Sequence, residues 1–243
     1  TLPLRNLVPI DSFRATASGK PLTTFEVSLR LRFAYLERFL ESHFYRSSLG
    51  SMYPIGEIFI TQGFPGVLKS SYKYTKISAS VSDYFKIPPF GNISWYVYGG
   101  KTFGTIPYTL LDIAPGNELY YYNKYAFNMM NRWEFIHDEF AGINIEHNIG
   151  NGIFRLLPKL RWRQFWTAKT LWGSLSASNK ALNYKQGHNF QSLDGKTYLE
   201  LGTGVDNILK VFRLDFVWRV APSSVPREGD KSFGIFGSFR VSF

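Results

Sequence analysis

The strongest constraint in this sequence is a two-residue alternation of apolar and polar side chains over unusually long segments. In the last segment one alternate set is apolar or glycine, namely Phe233, Ile235, Gly237, Phe239, Val241 and Phe243. The set between them is mostly small or charged and comprises Gly234, Phe236, Ser238, Arg240 and Ser242. Because successive side chains of a strand point to opposite faces, this pattern predicts a strand with one apolar and one polar face.

The same alternation recurs along the chain and predicts nine strands. They run over about 23–35, 55–62, 71–85, 91–103, 139–149, 160–174, 197–205, 212–220 and 233–243. Several exceed the usual soluble length of about 5–6 residues, and tilted membrane strands need about 9–11. In the strand at 160–174, Leu160, Trp162 and Trp166 share a face with Gln164, so its pattern is irregular. The lengths favour an antiparallel transmembrane β-barrel over a soluble sandwich.

Composition agrees with a surface that is apolar on one side and wet on the other. Aromatic residues make up 18% of the chain, although only 44% is hydrophobic. Membrane barrels combine aromatic girdles with a polar interior. No run of 18 apolar residues exists for a spanning helix, and residues 1–5 lack the apolar core of a signal peptide. A mature or trimmed envelope protein has these features.

The connections between predicted strands alternate between short and long. If residue 243 lies on the periplasmic side, then 86–90, 150–159 and 206–210 are periplasmic, and 104–138, 175–196 and 221–232 are extracellular. The longer set then faces outside, as outer-membrane barrels require. The connection at 36–54 breaks this rule, being periplasmic and long. Its first part, within the stretch Ala34–Leu40, is expected either to continue a strand or to form a short helix.

Nine strands is an odd number, whereas bacterial single-chain barrels have even numbers. We therefore expect a lead-in segment at 1–22 and, at 23–243, the C-terminal part of a larger barrel. Its long extracellular loop covers about 105–138.

The net charge of +10 raises the question of nucleic acid. The basic residues are scattered, and the tightest group is Lys159, Arg161 and Arg163. A lumen or lipid headgroups explain scattered cations equally well, so the expected partners are outer-membrane lipid and other envelope proteins, without nucleic acid. The chain has no cysteine, which excludes disulfides and thiol nucleophiles.

Two stretches resemble a known family. One is Ala114–Tyr122 with Ala126–Asp138 and Gly142–His147, and the other is Leu201–Asn207 with Phe212–Phe216 and Phe239–Phe243. Together they resemble an uncharacterised bacterial outer-membrane family, in which a carboxypeptidase-regulatory-like domain precedes a barrel domain of unknown function. The match runs from about Tyr120 to Phe243.

That family is in turn distantly similar to the BamA and TamA barrels, which insert or export proteins. The resemblance implies a 16-stranded barrel in which five strands follow the long sixth loop, as five strands follow 105–138 here. It also matches Glu146 to an acidic residue after that loop. The relatives' loop carries an Arg-Gly-aromatic tip, which this sequence lacks; its nearest counterpart is Arg132-Trp133.

Three groups of residues are the candidate site. The expected lumen-facing polar residues form ion pairs, line a conduction path or dock a plug loop, and they are Glu26, Arg30, Arg32, Glu146, Arg213, Asp215 and Arg219. Phe239, Val241 and Phe243 match the C-terminal signal of barrel proteins. The expected loop anchors are Tyr120, Tyr121, Tyr122, Phe127 and Arg132, with an aromatic belt as the other reading of the three tyrosines.

No motif indicates catalysis, a metal or a cofactor. His43, His137, His147 and His188 lack metal-ligand spacing, although His137-Asp138-Glu139 could bind a cation. No serine is singled out near His147 as a nucleophile. The leading expectation is a BamA/TamA-like pore or assembly barrel that is not an enzyme. The alternatives are a scaffolding barrel that binds other envelope proteins, and a soluble sandwich that binds carbohydrate.

Overall fold

The computed structural model describes residues 22–156, 161–184, 191–222 and 232–239. Most of them belong to one antiparallel sheet of nine strands. In spatial order the strands are β1 (Glu26–Ala34), β4 (Ile55–Gly63), β5 (Tyr74–Lys86), β6 (Asn92–Phe103), β9 (Glu139–Gly150), β10 (Arg163–Ser174), β11 (Thr197–Ile208), β12 (Phe212–Ala221) and β13 (Phe233–Phe239). The all-β antiparallel prediction is confirmed, including the number of long strands. The sheet is open, with β1 and β13 at its edges.

Each strand pairs with the next long strand along the chain, so the sheet is an up-and-down meander. Sequential antiparallel neighbours need only local connections, which suits a sequence whose strands alternate with turns. The pairing is regular over most of its length; the shifts in register lie near strand ends, between Gln164 and Phe165, between Leu199 and Glu200, and between Val205 and Ile208.

The connection at 36–54 differs from both sequence-based expectations. It forms a separate hairpin of β2 (Arg38–Ser42) and β3 (Tyr45–Gly50), neither a continued strand nor a helix. Leu36 has a φ of 49°, a left-handed conformation that ends β1 and turns the chain. Glu37 joins the hairpin to the large sheet, because its carboxylate accepts hydrogen bonds from Arg32 of β1 and from Ser48 of β3.

The long connection at 105–138 is ordered against the sheet and contains the short pair β7 (Asp112–Ile113) and β8 (Ile136–His137). The connection at 175–196 contains α1 (Ala177–Tyr184), which the alternation did not predict. Its eight residues have no apolar stripe, because the residues facing the protein are Asn179 and Asn183. No helix in the described part of the chain is long and apolar enough to cross a membrane.

Candidate functional site: a plugged sheet face

In the sheet at β10–β13, the buried face carries charged residues among apolar ones, while the exposed face is largely apolar. On β12, Arg213, Asp215 and Arg219 are 6%, 1% and 5% exposed. The alternate residues are apolar and far more exposed; Phe212 is 40% and Val220 is 44% exposed. We call the face with the buried charges the inner face and the other the outer face.

The inner face is buried because residues 105–138, the plug, lie on it. Phe127, Met130 and Phe135 of the plug pack against Leu171 of β10 and Tyr198 of β11. Farther along β12 and β13, Tyr122 packs with Val217 and Phe236. The irregular pattern of β10 follows from this contact, because Phe165 and Leu171 face the plug while Trp166, almost half exposed, lies on the outer face.

A buried lysine and a buried glutamate clamp the plug backbone. Lys169 and Glu200 are cross-strand partners on β10 and β11, and both lie on the inner face. The Lys169 ammonium donates to the carbonyl oxygens of Asn123 (2.9 Å) and Ala126 (2.5 Å). The Glu200 carboxylate accepts the backbone N–H groups of Asn128 (3.0 Å) and Met129. Charge-assisted bonds of this kind are about twice as strong as neutral ones, so the plug is fixed at residues 123–129.

A second buried group surrounds Arg213. Its guanidinium bonds Asp215 at 2.9 Å and Glu146 of β9 at 3.0 Å. The Phe165 ring lies 3.5 Å and the Tyr122 ring 4.7 Å from the guanidinium carbon. Two carboxylates and two ring faces therefore surround one cation, and one of those rings belongs to the plug. Burial raises the pKa of the Tyr122 hydroxyl above its ordinary value, so this side chain is uncharged.

A third ion pair joins the plug to β12 directly. Arg219 donates to Glu134 of the plug at 2.7 Å, and both side chains are less than 5% exposed. Arg219 also lies over the rings of Tyr198 and Phe135. Buried pairs of this kind are costly to break, because either charge alone would remain desolvated.

Where the plug leaves β6, α1 covers it through two asparagine side chains. Asn179 accepts the N–H of Ile106 at 3.0 Å and donates to Gly104 at 3.1 Å, and Asn183 accepts the N–H of Tyr108 at 2.6 Å. Asp138 accepts the backbone N–H of Ser176 and the amide of Asn179. These side chains make hydrogen bonds to the plug backbone of the kind that a neighbouring strand would make, and they cover one end of the plug.

His137 lies in the same end of the plug and is 3% exposed. Burial lowers its pKa to about 4; Asp112 and Asp138 oppose this shift and Lys76 adds to it. An unfolded histidine has a pKa near 6.5, so the unfolded chain takes up the proton first and stability falls as the pH drops below about 6.5.

We expect this histidine to make the folded protein about 2 kcal/mol less stable at pH 5 than at pH 7.5. Urea unfolding followed by tryptophan fluorescence at the two pH values measures this loss. The His137→Gln variant should lose that part of the pH dependence, whereas His147→Gln, on β9 outside the plug, should keep it. Equal pH dependence in both variants would assign the effect to other groups.

A family model identifies the chain. The model described as "Family of unknown function (DUF5686) C-terminal domain" matches residues 8–204, which is most of the sequence. The chain belongs to this family.

The fold of this DUF5686 C-terminal domain is also found in a solved barrel. It is similar to the crystal structure of BamA from Haemophilus ducreyi lacking POTRA domains 1–3, with a TM-score of 0.54 and 12% identity. The similarity covers 95% of this chain and 47% of that one, so the DUF5686 domain spans about half the length of the solved chain. No curated protein matches its sequence.

The structure of the DUF5686 domain brings together three of the lumen-facing candidates, Glu146, Arg213 and Asp215, and it places Arg219 beside them on the inner face. Arg30 and Arg32 lie on β1; Arg30 pairs with Glu57 at an exposed position, and Arg32 pairs with Glu37, whose side chain is 5% exposed. Glu26 accepts a bond from the hydroxyl of Tyr74.

The residues expected to anchor the loop fall into a buried and an exposed group. Tyr122 and Phe127 are buried against the wall, while Tyr120 and Tyr121 expose their rings and contact β13 through the backbone. The side chain of Arg132 is exposed, and its backbone N–H contacts Glu118. Phe239 lies on the outer face against Phe212, at 4.9 Å between ring centroids. Val241 and Phe243 lie outside the described residues.

Sequence reasoning missed the clamp of Lys169 and Glu200, and it missed Glu134. A usable signal existed for the clamp, since Lys169 shares a face of its strand with Phe165 and Leu171, and Glu200 lies two residues from Tyr198. In the described ranges of the DUF5686 domain, no three histidine, aspartate or glutamate side chains gather where they could hold a metal ion.

Proposed function

We propose that this chain is part of the wall of an outer-membrane β-barrel in a Gram-negative bacterium, with a plugged lumen. We further propose that the barrel serves the assembly or translocation of envelope proteins and is not an enzyme. The observation that carries the proposal is the polarity of the two faces, which matches hydrocarbon outside and an enclosed polar space inside.

The outer face supports contact with lipid because its apolar residues are contiguous. On β11–β13 these residues are Leu201, Phe212, Leu214, Trp218, Val220, Phe233, Ile235 and Phe239, each more than a third exposed. Soluble monomers seldom leave apolar patches larger than a few hundred Å² in water. Contact with lipid would cover these apolar residues without a further protein partner.

The inner face argues against a wide open channel along β10–β13. Charged side chains hold the plug there at three places. Lys169 and Glu200 bond its backbone, Arg213 faces the ring of Tyr122, and Arg219 pairs with Glu134. A cavity of about 390 Å³ lies beside the plug, between its residues Tyr122–Tyr125 and the inner side of β5, β6 and β9. A lumen that the plug fills suits a barrel that acts on other proteins rather than one that conducts solutes passively.

The fold similarity to a BamA barrel supports assembly or translocation, since the sequence resemblance also pointed to barrels that insert or export proteins. A scaffolding barrel is the second candidate. It is favoured by α1 and its asparagine contacts, which close one end of the plugged space.

Depletion of the full-length protein in its own bacterium is expected to lower the amounts of other outer-membrane barrel proteins at least twofold. Quantitative mass spectrometry of outer membranes measures this, with re-expression of the wild-type gene as the control. The purified protein is expected to give little steady conductance in planar bilayers. Unchanged barrel levels, together with a stably co-purifying envelope protein, would reject assembly and leave the scaffold.

A further inference from the structure

The cavity beside the plug is a feature that the proposed function does not use. Its volume is about 390 Å³, and three parts of the described chain enclose it. They are the inner face of β5, β6, β9 and β10, the plug at Tyr122, Lys124 and Tyr125, and the segment after β3 at Ser51 and Tyr53. Ligand pockets usually have about 300–1,000 Å³, so this cavity can hold a small molecule. In the orientation expected from the loop lengths, the β3 end of the cavity is periplasmic.

The floor of the cavity is a grid of side chains on four neighbouring strands. One row across the strands is Ser82, Tyr96, Asn144 and Lys169, and the next row is Tyr84, Ser94, Glu146 and Thr167. Directly opposite residues of an antiparallel pair share a face, with Cβ atoms about 4.5–5.5 Å apart. On β5 and β6, serine and tyrosine therefore alternate both along and across the strands, so each ring has a hydroxyl group beside it.

The two charged side chains of the floor are already engaged. Lys169 donates to the plug carbonyls of Asn123 and Ala126, and Glu146 accepts from Arg213. A charged ligand on this floor would lose its hydration without gaining a partner of opposite charge that is not already in use. The floor therefore favours an uncharged ligand.

The floor offers side chains rather than backbone groups. In the described sheet, β5, β6, β9 and β10 each have a hydrogen-bonded strand on both sides. A peptide that binds as a strand needs main-chain hydrogen bonds to a free edge, and this floor has none to give. The groups on offer are the hydroxyls of Ser82, Ser94 and Thr167 and the amide of Asn144, which both donate and accept. They match a ligand that carries many hydroxyl groups.

Tyrosine rings supply the apolar part of the cavity. Tyr53, Tyr84, Tyr96 and Tyr125 come from four different elements, and each is more than a third exposed. A tyrosine combines a large apolar ring with a polar tip. A sugar ring has the complementary chemistry, since its C–H faces can pack on an aromatic ring while its hydroxyl groups reach polar neighbours.

We propose that this cavity is a binding site for a neutral saccharide, which enters from the periplasmic side. The tyrosine rings stack on the sugar rings, and the serine, threonine and asparagine side chains bond the sugar hydroxyls. Tyr122 and Tyr125 belong to the plug, so a bound saccharide also joins the plug to the wall. The inference goes beyond the proposed function, because saccharide binding requires no assembly activity.

The envelope holds two sources of such a ligand, and two probes distinguish them. Chitotriose carries the acetamido groups of cell-wall glycan, whereas maltotriose consists of plain hexoses such as those of lipopolysaccharide. Each is titrated by calorimetry into the full-length protein in lipid nanodiscs. We expect at least one to bind with a dissociation constant below about 1 mM. Tighter binding of chitotriose assigns the site to cell-wall glycan, and tighter binding of maltotriose assigns it to lipopolysaccharide. Binding of neither would overturn the proposal.

Two tyrosine variants place the saccharide in the cavity. Tyr84→Ala removes a ring from the floor and Tyr125→Ala removes one from the plug, and each should weaken binding about fivefold. Tyr45→Ala is the matched control, because Tyr45 is an exposed tyrosine of β3 that does not line the cavity. Urea unfolding should show that all three variants remain folded, since all three rings are exposed. Unchanged binding in both cavity variants would reject this site.

Hydrogen exchange of the wild-type protein gives a second measurement that needs no substitution. Saturating saccharide should slow the exchange of residues 122–125 at least twofold and leave α1 unchanged. Slowing elsewhere without slowing at 122–125 would place the ligand outside the cavity and overturn the proposal. These results are separate from the depletion experiment. Unchanged barrel levels would reject assembly even if the saccharide binds, and absent binding would reject the site even if barrel levels fall.

Discussion

Replacing Lys169 by methionine is expected to free the plug and to destabilise the protein by about 3–5 kcal/mol. The substitution leaves the carbonyls of Asn123 and Ala126 without their donor and removes the positive charge opposite Glu200 in a buried site. Urea unfolding in lipid nanodiscs gives the loss of stability. Conductance in planar bilayers should rise at the same time, because the plug no longer fills its side of the lumen.

Lys101→Met is the matched control for this prediction. Lys101 also pairs with a carboxylate, Glu139 at 3.1 Å, but both side chains are about half exposed. Exposed pairs contribute about 0–1 kcal/mol, so this variant should resemble the wild type. Adding Glu200→Gln to Lys169→Met should recover part of the loss, since no buried charge then remains without its partner. Equal effects of the two lysine variants would contradict the clamp.

Replacing Arg213 by methionine is expected to cost a similar amount, about 3–5 kcal/mol, for a different reason. Asp215 is 1% exposed, and Glu146 lies on the same guanidinium, so the variant removes the cation that two neighbouring carboxylates contact. The ring of Tyr122 also loses the cation that it faces. Urea unfolding measures the loss, and hydrogen exchange of residues 117–127 should show that the plug opens more often.

Arg30→Met provides the comparison, because Arg30 pairs with Glu57 at 2.8 Å while its side chain is 62% exposed. It should cost less than about 1 kcal/mol. The double variant Arg213→Met with Asp215→Asn should be more stable than Arg213→Met alone, since it removes one of the two unpaired charges. A double variant no better than the single one would place the cost in lost packing rather than in the carboxylates.

The sheet was largely predictable because its strands carry a strong local signal. The alternation at 212–220 located β12 to within one residue, and that at 233–243 located the start of β13 at Phe233, since every second position is apolar; residues 240–243 lie outside the described ranges. The ends of β10 and β11 were less well placed, because a bulge and a shared apolar content on both faces blur the period there. The hairpin at 38–50 was missed because its short strands mix charges and aromatics on one face.

The sequence indicated several charged residues of the site, but not which of them pair. Arg213, Asp215 and Arg219 stand out on β12, because charged residues alternate with apolar ones. Their partners Glu146 and Glu134 lie on other elements, and alternation within one strand cannot show which carboxylate meets which guanidinium. The helix α1 could not be predicted from the apolar pattern for a related reason. Its contact with the protein depends on two side-chain amides four residues apart rather than on an apolar stripe.

Those two amides make the contacts of α1 with the plug. Asn179 and Asn183 make the bonds to the plug, whereas Ala177, Ser178 and Ala181 are exposed and contribute nothing to them. In the proposed orientation this helix is displayed on the cell exterior. Phage and antibodies would then meet three side chains whose replacement should leave the contacts of α1 with the plug intact.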